Sequence, residues 1–194
     1  MYHQCSQLFL QGKWQISHLI QAELPTGKTT FMHGTVIFSA QEKKLESIIM
    51  SIEGFVLFNA SYEHEKMTVH RAISPLDASG FADGLMHDLQ LIFFQPNASS
   101  IETGCLPSLE CVCRYSSNQG NPIDILIQKD HLWEIREYNK RHRLSRSVKA
   151  MSFKTITEYN QLTFRIPDVL VLTTYGLLGY TLNMNLIEAI PIDM

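Results

Sequence analysis

The chain has 194 residues, 45% hydrophobic and 18% charged, which excludes a disordered polymer and allows one substantial core without a metal or disulfide staple. A formal net charge of −3 excludes nucleic acid as the main partner, because phosphate binding needs a basic face. No apolar run approaches the roughly 18 residues that a membrane-crossing helix requires.

The opening MYHQCSQLFLQGKWQ has no basic start and no continuous apolar stretch, so no export signal is expected within this chain. Through residues 8–24 the even positions Leu8, Leu10, Trp14, Ile16, Ile20, Ala22 and Leu24 are apolar, with His18 in the same row. The odd positions are mainly Gln, Lys, Ser and Glu. A period of two predicts a long strand with one dry face and one wet face.

PTGK (25–28) turns the chain, and TTFMHGTVIFS, KLESIIMSI, GFVLFNASY and KMTVHRAI follow with short links, which predicts an antiparallel meander. Loop residues 75–80 then lead to GLMHDLQLIFFQP (84–96), whose spacing is helical, with Asp83 as the expected cap and Pro96 as the stop. Leu85, Met86, Leu89, Ile92 and Phe93 share one sector that would seat the helix on a sheet. Leu91 and Phe94, with His87 between them, are expected on the far side. A helix apolar on two sides needs two apolar neighbours.

A shorter helical or looped stretch is expected from Asn97 to Leu109, then strands in ECVCRYSS, PIDILIQK, HLWEIREY, MSFKTITEY, LTFRIPDVLVLTTY and YTLNMNLIEAI. Lys140, Arg141, His142 and Arg143, followed by Arg146 and Lys149, are expected to form one basic loop, solvated or in contact with anionic headgroups. No repeat, low-complexity segment or linker interrupts the chain, so a single domain over 1–194 is expected. About ten antiparallel strands must curl, because twisted sheets of that size rarely stay flat. The curled interior is either filled by the chain's own side chains or left hollow for a lipid-like guest.

Motifs for chemistry are few. Gly27-Lys28-Thr29 lacks the earlier Gly and following helix of a phosphate loop, and Asn59-Ala60-Ser61 and Asn97-Ala98-Ser99 are chance glycosylation triplets. His64 and His70 lack ligand spacing, and His87 and Asp88 are adjacent on a helix and face different ways. Neither a GxSxG elbow nor a nucleophile with a recognisable base is present. No catalytic residue, metal or cofactor is therefore expected. His18 or His87 as a base on an acyl substrate is kept as an alternative. Cys111 and Cys113 share a strand face and are poor partners for each other. Cys105 with Cys111 or Cys113 is the disulfide the spacing allows, while Cys5, Cys105, Cys111 and Cys113 as ordinary buried thiols is the simpler expectation.

Four stretches resemble one known family. KLESIIMSIEGFVLFNASYEHEKMTV (44–69) resembles the strand–Gly–strand unit of LolA/LolB-like proteins, and FADGLMHDLQLIFFQP (81–96) is similar to a helix of uncharacterised LolB-like bacterial lipoproteins. RYSSNQGNPIDILI (114–127) and TTYGLLGYTLNMNLIEA (173–189) resemble that family's closing strands. The resemblance implies a mainly β fold with one or two helices: a curled antiparallel sheet forming an incomplete, half-open β-barrel under a helical lid inserted at about 75–109. It implies acyl chains of lipid or lipoprotein as partners, a place in the periplasm or at the inner leaflet of the outer membrane, and no enzymatic activity. The dry strand faces then nominate Trp14, Ile16, Ile20, Val36, Phe38, Met50, Phe58 and Val69 as lining, with Leu91 and Phe94 from the lid. Cys5 follows Gln4 and lacks the family's lipobox, and no apolar membrane-insertion loop is discernible. A solid-core interaction protein is the alternative outcome.

Overall fold

The computed structural model describes residues 5–24, 26–74, 76–78, 80–105, 110–116, 120–128, 132–157, 163–177 and 179–192. The strands are β1 (Lys13–Glu23), β2 (Thr29–Ser39), β3 (Lys44–Ser51), β4 (Val56–Glu63), β5 (Lys66–Ala72), β6 (Ser100–Cys105), β7 (Cys111–Ser116), β8 (Ile123–Ile127), β9 (Trp133–Tyr138), β10 (Leu144–Thr157), β11 (Thr163–Thr174) and β12 (Thr181–Ile192). The helix α1 (Phe81–Phe93) separates β5 from β6. The strands make one antiparallel sheet in the order β5-β4-β3-β2-β1-β12-β11-β10-β9-β8-β7-β6, which does not close into a barrel. By backbone contacts the chain divides into two compact units, each drawing on three segments.

The first unit comprises Leu10–Ala22, Thr29–Phe94 and Met184–Met194. In β1 every second residue from Trp14 to Ala22 is buried, as the alternation requires. Rows across the meander follow the register: Val36, Ser47, Ala60 and Val69 lie opposite one another, as do Phe38, Leu45, Tyr62 and Met67. Short links suffice because neighbouring strands are antiparallel. The β4–β5 link holds His64 and Glu65 at positive φ, the conformation a two-residue hairpin turn demands.

The second unit comprises Met1–Phe9, Glu23–Lys28 and Gln95–Asn183. Its dry face carries Cys113, Ile125, Ile135, Val148 and Leu172 in one cross-strand row. A disulfide joins Cys5 to Cys113 across 108 residues. The expectation of free buried thiols is thereby corrected, and Cys5 does not offer a free thiol for lipid attachment. Cys105 and Cys111 form no disulfide, and their sulfurs lie 3.5 Å apart at directly opposed positions of β6 and β7.

Four further expectations change. The stretch expected to be helical or looped contains strand β6, all six residues of which are exposed. An edge strand with no dry face has no alternation to reveal it. Strand β1 begins at Lys13 instead of Leu8, after Gly12 at φ 82. Arg146 and Lys149 belong to β10, so the basic loop is confined to residues 139–143. Finally, α1 starts after Gly80 in the left-handed region with no side-chain cap, and Asp83 sits inside the first turn. Asp83 there still faces the positive end of the helix dipole.

Candidate functional site

The sequence nominated one apolar face of the first unit. Trp14, Ile16 and Ile20 on β1, Val36 and Phe38 on β2, and Phe58 on β4 are all buried. The Trp14 indole Nε1–H donates to the Gln11 carbonyl at 2.8 Å, so its polar atom is satisfied while its rings stay in the core. Gly34 sits in this face because an added Cβ would lie 2.6 Å from Ile20 Cδ1.

Two nominated residues depart from this buried set, one of them by facing the other way. Met50 pairs with His33 and Val56, which places it on the opposite face from Ile49 and Phe58. In Ser47-Ile48-Ile49-Met50 every candidate but Ser47 is apolar, so composition could not choose the dry parity there. Ser47 and Ile49 face inward. Val69 belongs to the inner row through its pairing with Ala60, yet it lies on edge strand β5 and is 41% exposed. The apolar floor thus runs from a buried centre to an open margin.

Helix α1 covers part of this floor, touching β4 and β5. Phe93 stacks on Phe38 with ring centroids 4.8 Å apart and planes at 28°. Phe94 meets the same Phe38 ring edge-on at 6.3 Å and 70°. The expectation that Phe94 lies on the far side of the helix is corrected: the helix ends at Phe93, and the extended backbone of Phe94 turns its ring back to the sheet. The Lys43 ammonium caps that ring 5.0 Å from its centroid, and burial pulls Lys43 below its ordinary pKa. Leu91 is 4% exposed and Phe94 7%, so both are buried.

Polar chemistry within this unit centres on His18, buried in the apolar row of β1, where desolvation lowers its pKa to about 4. Such a ring is neutral at physiological pH and a weak base. Asp88 is the buried acid of α1.

In the second unit, sequence reasoning passed over a buried carboxylate. Glu137 on β9 receives Arg146 Nη1 at 3.1 Å, Ser145 Oγ at 3.3 Å and Asn121 Nδ2 at 3.3 Å. Its position alternates with Trp133 and Ile135, which was the available signal. The opposite face holds a groove of about 340 Å³ lined by Glu102, Val112, Arg114, Asp124, Leu126 and Arg136 among others. Its arginines are occupied: Arg114 Nε and Nη2 each donate to Asp124 at 2.7 Å, and Arg136 donates to Glu134 at 2.7 Å. Among the described residues no group of three His, Cys, Asp or Glu side chains could hold a metal ion.

Where no apolar loop was discernible in the sequence, two hairpin tips expose apolar side chains: Ile52 and Phe55 (70% exposed) between β3 and β4, and Tyr175 and Leu177 (96% exposed) between β11 and β12. Glycine-flanked turns hide this, because a bulky residue beside Gly54 or Gly176 resembles the start of a strand.

No protein-family model and no curated protein matches the chain. Solved structures do. A LolA superfamily protein from Nitrosomonas europaea superposes with a TM-score of 0.64 at 12% identity, covering 99% of this chain and 92% of that one. A domain named for outer-membrane lipoprotein sorting, from Vibrio parahaemolyticus, gives 0.58 at 7% identity, covering 97% and 89%. A DUF1329 family protein from Desulfovibrio piger gives 0.55 at 10% identity, covering 96% and 88%. The chain has a LolA/LolB-like fold.

Proposed function

We propose that this protein is a non-enzymatic carrier or acceptor of acyl chains, from lipid or lipoprotein, in the bacterial cell envelope, acting as one LolA/LolB-like domain. The observation that carries the reading is the apolar floor of β1 to β5, buried at Phe38 and Phe58, open at Val69, and covered in part by α1, where Phe93 and the following Phe94 pack on Phe38. Hydrocarbon is the chemistry that such a surface recognises. Trp14, Ile16, Ile20, Val36, Phe38, Phe58 and Val69 are the proposed contacts on the sheet, with Leu91 and Phe94 on and just after the helix. Met50 would contribute from the other face at most.

The compartment is proposed to be the periplasm or the periplasmic face of the outer membrane. Support comes from the Cys5–Cys113 disulfide, a bond that persists in oxidising surroundings. A carrier role is supported further by His18, whose pKa near 4 makes it a poor general base at neutral pH.

Each methylene transferred from water contributes about 0.8 kcal/mol, so affinity should climb with chain length until the floor ends. Fatty acids of graded length displacing an environment-sensitive fluorophore measure this. Val69→Asp, which places a charge at the open margin, should weaken displacement by at least tenfold. Absence of displacement at every length would favour the second reading, a solid-core interaction protein, for which the near-complete burial of Leu91 and Phe94 speaks.

A further inference from the structure

We infer that one end of the β7–β12 hairpin array is a docking surface for an anionic phospholipid bilayer. Two turns meet there. Leu144 pairs with Tyr138 and Arg146 with Thr174, while Tyr175 N–H donates to Ser145 O at 2.9 Å. These contacts bring the β9–β10 turn (139–143) beside residues 175–177, which follow β11. Tyr138 N–H donates to Pro122 O at 2.9 Å, which places Pro122 at the same end.

The charge of these two turns is opposite to that of the molecule. Residues 139–143 read Asn-Lys-Arg-His-Arg, and residues 175–180 read Tyr-Gly-Leu-Leu-Gly-Tyr. Lys140, Arg141, His142 and Arg143 are exposed, and no acidic residue occurs in either turn, on a chain whose net charge is −3. The neighbouring Glu137 is buried and occupied by Arg146. Beside this positive cluster Leu177 projects with 96% of its surface in water, next to Tyr175 at 49%.

Both turns are built to hold these side chains out. The Asn139 carboxamide oxygen accepts from Arg141 N–H at 2.9 Å and Arg143 N–H at 3.1 Å, and His142 takes a left-handed φ of 56°. In the other turn Tyr180 N–H donates to Thr174 Oγ1 at 2.9 Å, and Gly179 N–H to Gly176 O at 3.1 Å. A Cβ on Gly179 would lie 2.5 Å from the Thr174 carbonyl oxygen, so this turn requires glycine. An apolar side chain held outward in water costs free energy with no gain inside the fold. Paired with fixed cations it provides the two signals that stable attachment to an anionic membrane needs, insertion and electrostatic attraction.

Co-sedimentation of the full chain with vesicles of phosphatidylcholine alone, and of phosphatidylcholine mixed with phosphatidylglycerol, tests the inference. Binding to the mixed vesicles only, weakened by salt, is expected. The triple variant K140S/R141S/R143S should lose about fivefold in partitioning per charge removed. Leu177→Ser should lose several-fold, while R141K/R143K should bind as the original does. Leu177→Trp should shift its emission to the blue on the mixed vesicles. Equal binding to both vesicle types, or an undiminished triple variant with an unchanged circular dichroism spectrum, would overturn the inference. Competition by soluble polyglutamate with no shift of the Leu177→Trp emission would also overturn it, and would assign the end to an acidic protein partner. None of these readouts depends on whether the inner face of the other unit takes an acyl chain.

Discussion

Burial alone lowers the His18 pKa from 6.5 to about 4, so the folded chain refuses a proton that the unfolded chain accepts throughout that window. Stability is therefore highest above pH 6.5, falls as the pH drops, and has lost the whole contribution below pH 4. Between about pH 7 and pH 5 the loss from this residue is about 2 kcal/mol. Urea midpoints of the wild type and His18→Phe across that interval measure it. Carboxylates contribute to both curves, so the difference between them isolates the imidazole, and parallel curves would refute the buried neutral ring. The position of His18 was legible, since it sits in the even row with Trp14, Ile16 and Ile20. The partners of Glu137 were not. Alternation placed its side chain inward, but bringing Arg146 opposite it needs the irregularity at Ser145 in the β9–β10 register, which no pattern in either strand announces.

At the scale of elements, the link between sequence and structure is alternation, and it succeeds wherever one face is dry. Strands β1, β2 and β11 are visible for that reason, whereas β6 is not, because an edge strand wet on both faces carries no period. The 144–150 half of β10 reads as loop because Arg146 and Lys149 obscure Val148 and Ala150. Helix α1 was visible by its spacing and its Pro96 stop, but its contact with the sheet was misassigned at one residue. Periodicity applies only while the helix continues, and Phe94 is the first residue outside it. Phe38 consequently receives two rings from α1 and its exit. Truncating it to Ala should cost about 4 kcal/mol, the usual range for a large buried aromatic, because both ring contacts vanish and a cavity is left. Phe93→Leu keeps most of the volume and should cost about 1 kcal/mol, the part attributable to stacking. Equal costs for the two variants, measured by urea unfolding, would show that α1 is not anchored through Phe38.

For the molecule as a whole, the least legible feature is the cross-link between the segment Met1–Phe9 and β7. Cys5 and Cys113 are 108 residues apart, and spacing within the Cys105–Cys113 cluster points to nearer partners. Register resolves the matter. Cys113 faces the dry row with Ile125, Ile135 and Val148, whereas Cys105 and Cys111 form an opposed pair at the hairpin's exposed end. Cys5 and Cys113 should therefore resist alkylation in the native protein purified from an oxidising compartment and react after unfolding under reductant, as peptide mass mapping will report. Closing a loop of that length restricts the unfolded chain by about 4 to 5 kcal/mol in the chain-entropy account. Reduction of the bond, or Cys5→Ser with Cys113→Ser, should lower unfolding free energy by about that amount. A domain of ordinary stability, about 5 to 15 kcal/mol, loses a large share of its margin in that way. The same polypeptide made where thiols stay reduced should then be recovered mostly unfolded or aggregated, and recovered folded after export. Equal yields and equal urea midpoints in the two compartments would remove both the structural role of the bond and the main physical support for an envelope location.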